Sequence, residues 1–265
     1  MHSVHYQLTH NGHDHVMIML HGFMGDSRAF EQAAGRLSHE MDILRIDLPG
    51  HGTDESERSI IWSFDWLIEQ LNQLIEPLRQ NYKKLTLYGY SMGGRIALYY
   101  ALNYSVDALI LESTSPGLKQ STERQARQHI DEARSVRLET DYQQFVEEWE
   151  QLPLFKPAAP LSDTTAAKLH TMRSSQDPQG LAKALRDYGT GSQPDLWPKL
   201  SLLTIPVLLL TGRQDEKFKI INQEMAEHLP ACQHTEVSAG HSIHVEHPEI
   251  FDTIVLEFIK EAYYV

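Results

Sequence analysis

Cysteine is almost missing from these 265 residues, with Cys232 standing alone. A single thiol closes no internal disulfide and supplies no cysteine set for zinc, so a disulfide-built scaffold and a zinc ribbon are both excluded. Long apolar runs are missing too, and none approaches the ~18 residues that cross a bilayer. The first residues, Met1-His2-Ser3-Val4-His5-Tyr6, have neither the basic start nor the apolar stretch of a secretory signal. The expected setting is therefore the cytoplasm, without membrane insertion. Positive charge is scarce: 23 Lys+Arg stand against 36 Asp+Glu, a net of -13, which argues against nucleic acid or an anionic membrane as a partner. No His/Asp/Glu cluster has convincing ligand spacing. His13-Asp14-His15 and the interval from His241 to His244 are too short and loop-like, so neither a metal nor a cofactor is expected.

What is present is an ordinary globular composition, 41% hydrophobic and 22% charged, in a chain long enough for one large domain or a domain with an insertion. The charge is uneven. Between residues 117 and 200 there are 11 Lys+Arg and 12 Asp+Glu, a net of -1, so -12 lies in the flanks. Short apolar runs at His15–Leu20, 42–48, 85–90, 108–111 and 206–212 read as buried strands, with a weaker one near 235–238. Helical spacing separates them, for example Phe64, Leu67, Ile68, Leu71, Leu74, Ile75 and Leu78 on one face. A helix is also expected from about Ile220 to Leu229 and a last one from about Pro248 to Ala262. This alternation predicts an α/β fold, a mostly parallel central sheet flanked by helices. From Gln120 to about Trp197 there is no convincing strand, only helices broken near Pro153, Pro157–Pro160, Pro178 and Pro194. The expected organisation is core at 1–116, a helical lid at 117–200, and core again at 201–265.

Leu85 to Arg95 passes from an apolar, β-favouring run to a helix-compatible one through Gly89-Tyr90-Ser91-Met92-Gly93. A strand that turns sharply into a helix holds a serine at its tip, and small residues must flank so tight a turn. A serine nucleophile needs a base and an orienting acid, in this architecture in the order Ser, acid, His. Asp215, in Gly212-Arg213-Gln214-Asp215 after a strand, is the expected acid, with Glu112 as its rival. His241, in the loop Ser238-Ala239-Gly240-His241-Ser242, is the expected base, with His244 as the alternative. The backbone N–H of Met92, at the helix start, and that of Phe23, after His21-Gly22, are the candidate oxyanion donors. Arg95 lies one helical turn beyond Ser91 on the same face and can lean back beside it. A guanidinium there suits a carboxylate more than a neutral ester. The 117–200 segment adds Arg124, Arg127, Arg134, Arg137 and Arg173, of which Arg134, three residues after Asp131, reads as a surface pair.

With His21-Gly22-Phe23, Asp47-Leu48-Pro49-Gly50-His51-Gly52, Gly89 to Gly93, Gly212 to Asp215 and Gly240-His241 in order and spacing, the whole chain resembles the α/β-hydrolase-fold family. Ser115-Pro116-Gly117-Leu118 leading to Glu123-Arg124-Gln125-Ala126-Arg127, Trp149 with Pro153-Leu154-Phe155, Met172-Arg173-Ser174 and the continuation Glu216-Lys217-Phe218 resemble one branch, the 2-succinyl-6-hydroxy-2,4-cyclohexadiene-1-carboxylate synthases of menaquinone biosynthesis. The resemblance implies a lyase that eliminates pyruvate from a cyclohexene polycarboxylate, with Ser91, His241 and Asp215 acting as a base. It also implies that Arg95, Arg127 and Arg173 bind carboxylates and that Tyr90 and Trp149 pack around the ring. His21 is counted with the substrate-binding residues, as is Arg124; which of Arg124 and Arg127 faces the site stays open. The expected partner is a small polycarboxylate, and the expected state a monomer or weak homo-oligomer. The triad by itself equally permits a serine hydrolase of esters, thioesters or carbon–carbon bonds.

Overall fold

The apolar runs lie side by side in one seven-stranded sheet. A computed structural model describes residues 4–264. In chain order the strands are β1 (Tyr6–Thr9), β2 (His15–Leu20), β3 (Asp42–Ile46), β4 (Lys84–Tyr90), β5 (Ala108–Glu112), β6 (Val207–Gly212) and β7 (Cys232–Val237). Their spatial order is β1-β3-β2-β4-β5-β6-β7. Only β1 runs antiparallel, along β3, and every other pairing is parallel. A strand buried on both faces reads as a continuous apolar run, but the period of two still assigns each residue to a side. Val16, Ile18 and Leu20 enter one core, and Met17 and Met19 the other.

Helices cover both faces. On one side are α2 (Phe64–Ile75), α3 (Met92–Ala101) and α8 (Glu216–His228); on the other are α1 (Glu31–Leu37) and α10 (Pro248–Tyr264). Helix α2 begins where Ser63 accepts the Trp66 N–H at 3.2 Å, an N-cap that satisfies one of the orphan donors. It ends in a tighter 3-10 turn, Glu76–Gln80, that contains Pro77. Helix α8 begins at Glu216, about one turn earlier than its apolar residues announce, because Asp215 caps it by accepting from the Phe218 N–H. A four-residue helix, α9 (Ile243–Glu246), precedes α10.

Between β5 and β6 lie four α-helices and no strand: α4 (Ser121–Thr140), α5 (Tyr142–Glu150), α6 (Asp163–Ser174) and α7 (Pro178–Tyr188). The break expected near Pro178 is the gap between α6 and α7, and Pro178 itself opens α7. It sits in the first turn, where its missing N–H costs nothing, behind Asp177 as cap. These helices have a small core of their own, where Leu138, Phe145, Val146, Trp149, Leu181 and Leu185 close over Met24 from the loop after β2. Among the described residues, no helix is long and apolar enough to cross a membrane.

Candidate active site

Strand β4 delivers Ser91 at the middle of the sheet. Its backbone is strained, with φ 51° and ψ -106°, a region non-glycine residues seldom occupy. The strain is held by the Ser91 N–H donating to Glu112 O at 2.8 Å and by the Thr114 hydroxyl donating to Ser91 O at 2.7 Å. The flanking glycines are obligatory for contact reasons. A Cβ at Gly89 would stand 2.5 Å from Gly93 O, and one at Gly93 would stand 2.2 Å from Leu20 O.

The Ser91 Oγ lies 3.0 Å from His241 Nε2, and His241 Nδ1 lies 2.6 Å from Asp215 Oδ2. Since a carboxylate oxygen accepts from Nδ1–H, the Nε2 lone pair faces the serine hydroxyl, the geometry that can take its proton. Tyr90, Phe155 and Phe218 pack against the imidazole, with centroids 5.4, 5.8 and 4.9 Å away. The N–H groups of Phe23 and Met92 donate to no acceptor among the described residues; Phe23 and Met92 line the same cavity as Ser91.

The rival acid and base pair with each other. Glu112 is fully buried and accepts from Tyr88 Oη at 2.5 Å and from His244 Nδ1 at 2.9 Å. Burial alone would raise its pKa, but the His244 charge and these hydrogen bonds outweigh that and lower it. The Tyr90 ring packs on His244 at 4.7 Å, and its hydroxyl meets Ser242 Oγ at 2.5 Å.

His21, counted among the substrate-binding residues from the sequence, is not in the lining of the cavity that Ser91 shares with Phe23 and Met92. It is completely buried, its Nδ1–H donates to Gly22 O at 2.8 Å, and its Nε2 accepts the Leu48 N–H at 3.0 Å. Both ring nitrogens are consumed in tying the Phe23 loop to the loop after β3. Burial depresses its pKa, which favours this neutral form. Asp47 anchors that second loop, accepting from the N–H groups of Ser27 (2.7 Å) and Thr53 (2.9 Å). Burial opposes its charge, yet these bonds prevail and bring its pKa down to about 2.

Above Ser91 is a cavity of about 960 Å³ lined by Tyr90, Trp149, Arg95, Arg127, Arg134, Arg173 and Lys217, among others. Arg95 is buried, donating to Tyr188 O at 3.4 Å; burial, then the charge of Arg127, pushes it down to about 10. Arg127 pairs with Asp131 at 2.8 Å and Arg173 with Glu150 at 3.1 Å. Trp149 packs in an aromatic group with Phe23, Phe145 and Phe155. Arg124 faces away from this cavity, its guanidinium donating to Leu118 O at 2.7 Å and Lys119 O at 3.2 Å. The choice between Arg124 and Arg127 thus falls on Arg127.

The profile of the α/β hydrolase fold family matches residues 15–248. A Bacillus subtilis protein that carries the name 2-succinyl-6-hydroxy-2,4-cyclohexadiene-1-carboxylate synthase provisionally is 37% identical, over 92% of this chain and 90% of its own length. The enzyme of that name from Serratia proteamaculans is 31% identical over 92% of each chain. The solved structure of MenH from S. aureus superposes with a TM-score of 0.94 at 40% identity, covering 97% of this chain and 98% of that one. The chain belongs to the α/β-hydrolase fold family, in its 2-succinyl-6-hydroxy-2,4-cyclohexadiene-1-carboxylate synthase branch.

Within this α/β-hydrolase-fold chain, sequence reasoning missed two cavity cations. Arg134 does not form a surface pair with Asp131, which is buried and bound to Arg127. The signal was available, since Arg127 and Arg134 are seven residues apart on one helix, only ~20° out of register. Lys217 had no local signal. It reaches the cavity because α8 starts at Glu216, directly after Asp215, and that start depends on a cap rather than on an apolar pattern.

Proposed function

We propose that the protein eliminates pyruvate from 2-succinyl-5-enolpyruvyl-6-hydroxy-3-cyclohexene-1-carboxylate to give 2-succinyl-6-hydroxy-2,4-cyclohexadiene-1-carboxylate, the menaquinone-pathway step for which its relatives are named. The observation that carries the reading is the cation-lined cavity over Ser91. A neutral ester gains nothing from guanidinium groups in such a place, whereas a ligand with three carboxylates does.

The electron count follows from the two names. A 3-ene with a leaving group on C5 becomes a 2,4-diene, so the proton leaves from C2, next to the succinyl carbonyl. Ser91, its hydroxyl proton passed to His241, takes that proton as a base, and Asp215 steadies the resulting imidazolium. The Phe23 and Met92 N–H groups hold the charge that develops on the succinyl carbonyl oxygen. The electron pair then moves through C3 and C4, breaks the C5–O bond and expels the enolate of pyruvate, which takes up a proton at carbon. No water is consumed. Arg95, Arg127 and Arg173 bind carboxylates in this scheme, with Tyr90 and Trp149 against the ring and the 117–200 helices as its cover.

The test is to mix purified protein with the precursor and follow pyruvate together with the diene absorbance. Equimolar appearance of both, without incorporation of solvent oxygen, is expected; folded protein that releases no pyruvate overturns the reading. Ser91→Ala should retain binding and lose at least about 1,000-fold in turnover.

A further inference from the structure

The cavity cations are unequally matched by protein acids. Arg127 has Asp131, Arg173 has Glu150, and Lys119, at another part of the lining, has Glu224. Arg95 lies beside Arg127 and donates to a carbonyl. Arg134 and Lys217 have no ion pair or hydrogen bond to any acid among the described residues. Each instead stands near an aromatic ring, Arg134 5.4 Å from Trp149 and Lys217 5.2 Å from Phe218. Phe218 packs on His241 directly, and Trp149 does so through Phe155. The two cations come from different elements, α4 and α8, and each stands against the aromatic group that surrounds the imidazole.

Both line the same cavity. Burial lowers the pKa of Lys217, and the charges of Arg127, Arg95 and Arg134 lower it further against the opposing charge of Asp215. Asp131 and Asp215 offset part of this charge without pairing to Arg134 or Lys217, and an anion between the cations makes the arrangement favourable. The proposed precursor carries three carboxylates, on the succinyl chain, the enolpyruvyl group and the ring. Arg95 with Arg127 forms one natural site and Arg173 a second, which leaves one carboxylate without a partner.

We propose that Arg134 and Lys217 jointly bind that third carboxylate, forming a specificity subsite for polycarboxylate ligands distinct from Arg95, Arg127 and Arg173. The proposal rests on reading the cavity as a polycarboxylate site.

Arg134→Met and Lys217→Met, singly and combined, test it, with circular dichroism melts establishing that each variant is folded. Each single change should raise KM for the precursor about 10-fold or more and leave kcat within about three-fold, since the contact is made in ground and transition states alike. The double variant should be at most about three-fold worse than the poorer single, because one carboxylate is lost only once. Single-variant KM values within about two-fold of wild type overturn the proposal, as does full multiplication of the two losses, which marks separate sites. Calorimetric titration with tricarballylate, a three-carboxylate probe, gives a readout without turnover. Should the wild type release no pyruvate, the synthase reading fails and this arm decides the subsite: weaker tricarballylate binding in both single variants supports it, and unchanged or undetectable binding overturns it.

Discussion

Asp215 serves His241 and helix α8 at once: Oδ2 receives the His241 Nδ1–H at 2.6 Å, and Oδ1 receives the Phe218 N–H at 3.4 Å. The orientation of the imidazole is thus tied to the start of a helix.

Asparagine at this position separates the two jobs. It caps a helix about as well as aspartate but can turn an NH₂ toward the imidazole and reverse the tautomer. Asp215→Asn should lose about 10⁴-fold in turnover, by the triad precedent, with little change in the urea midpoint. Asp215→Ala should lose activity and also about 1 kcal/mol of stability with the cap. Pyruvate release and urea unfolding measure the two effects.

The serine turn gives a second expectation. Gly93→Ala places a methyl 2.2 Å from Leu20 O and 2.6 Å from His21 O, both backbone atoms that cannot swing aside. A destabilisation of about 2–4 kcal/mol is expected. Gly35→Ala is the control: it lies in α1, and its methyl would meet nothing within 4 Å, so a gain of about 0.5–1 kcal/mol is expected. If both behave alike in urea unfolding, the contact argument fails.

Arg95 predicts a pH effect. Its guanidinium is pushed down to about 10 by burial and Arg127 and so keeps its charge across the neutral range. The same surroundings act on a lysine from a lower start, ~10.4, because burial and a like charge both disfavour the protonated form. Arg95→Lys should therefore bind progressively worse as pH rises from about 7 to about 9, through loss of its positive charge, and more steeply than the wild type, in which Lys217 is the lysine of the cavity that titrates. Parallel KM profiles for the two proteins would count against this placement of Arg95.

Arg124 and Arg127 are one turn apart on α4 but face different partners. Arg124→Ala loses two hydrogen bonds to carbonyls and should leave KM within about two-fold. Arg127→Ala removes a cavity charge and strands the buried carboxylate of Asp131, so KM should rise about 10-fold or more, with a stability loss of about 3 kcal/mol. Steady-state kinetics with thermal melts distinguish the two; equal effects would contradict the assignment.

Much of this was legible in the residues. The apolar runs and glycine-bearing turns located the strands, and the order Ser91, Asp215, His241 located the hydrogen-bonded trio, because strand ends and tight turns are written locally. The role of His21 was not legible, since its two backbone partners come from loops that meet only after β2 and β3 pair. Glu112 and His244 looked like rivals for the Ser91 machinery and instead form their own buried pair, a choice made by three-dimensional direction rather than by sequence spacing. The fate of Asp131 had the same origin: spacing allowed Arg127 or Arg134, and the packing of α4 against α7 took Arg127.

The unmatched cations above Ser91 have a thermodynamic consequence. Arg95, Arg134 and Lys217 bring like charges into one cavity, offset only in part by Asp131 and Asp215, and that repulsion works against the fold. A polyanion that neutralises the group stabilises the native state by mass action, by about 2.7 kcal/mol at a concentration one hundred times its dissociation constant. The ligand is then a missing piece of the fold as much as a reactant, and the unfolding temperature becomes a gauge of how much polyanion is present.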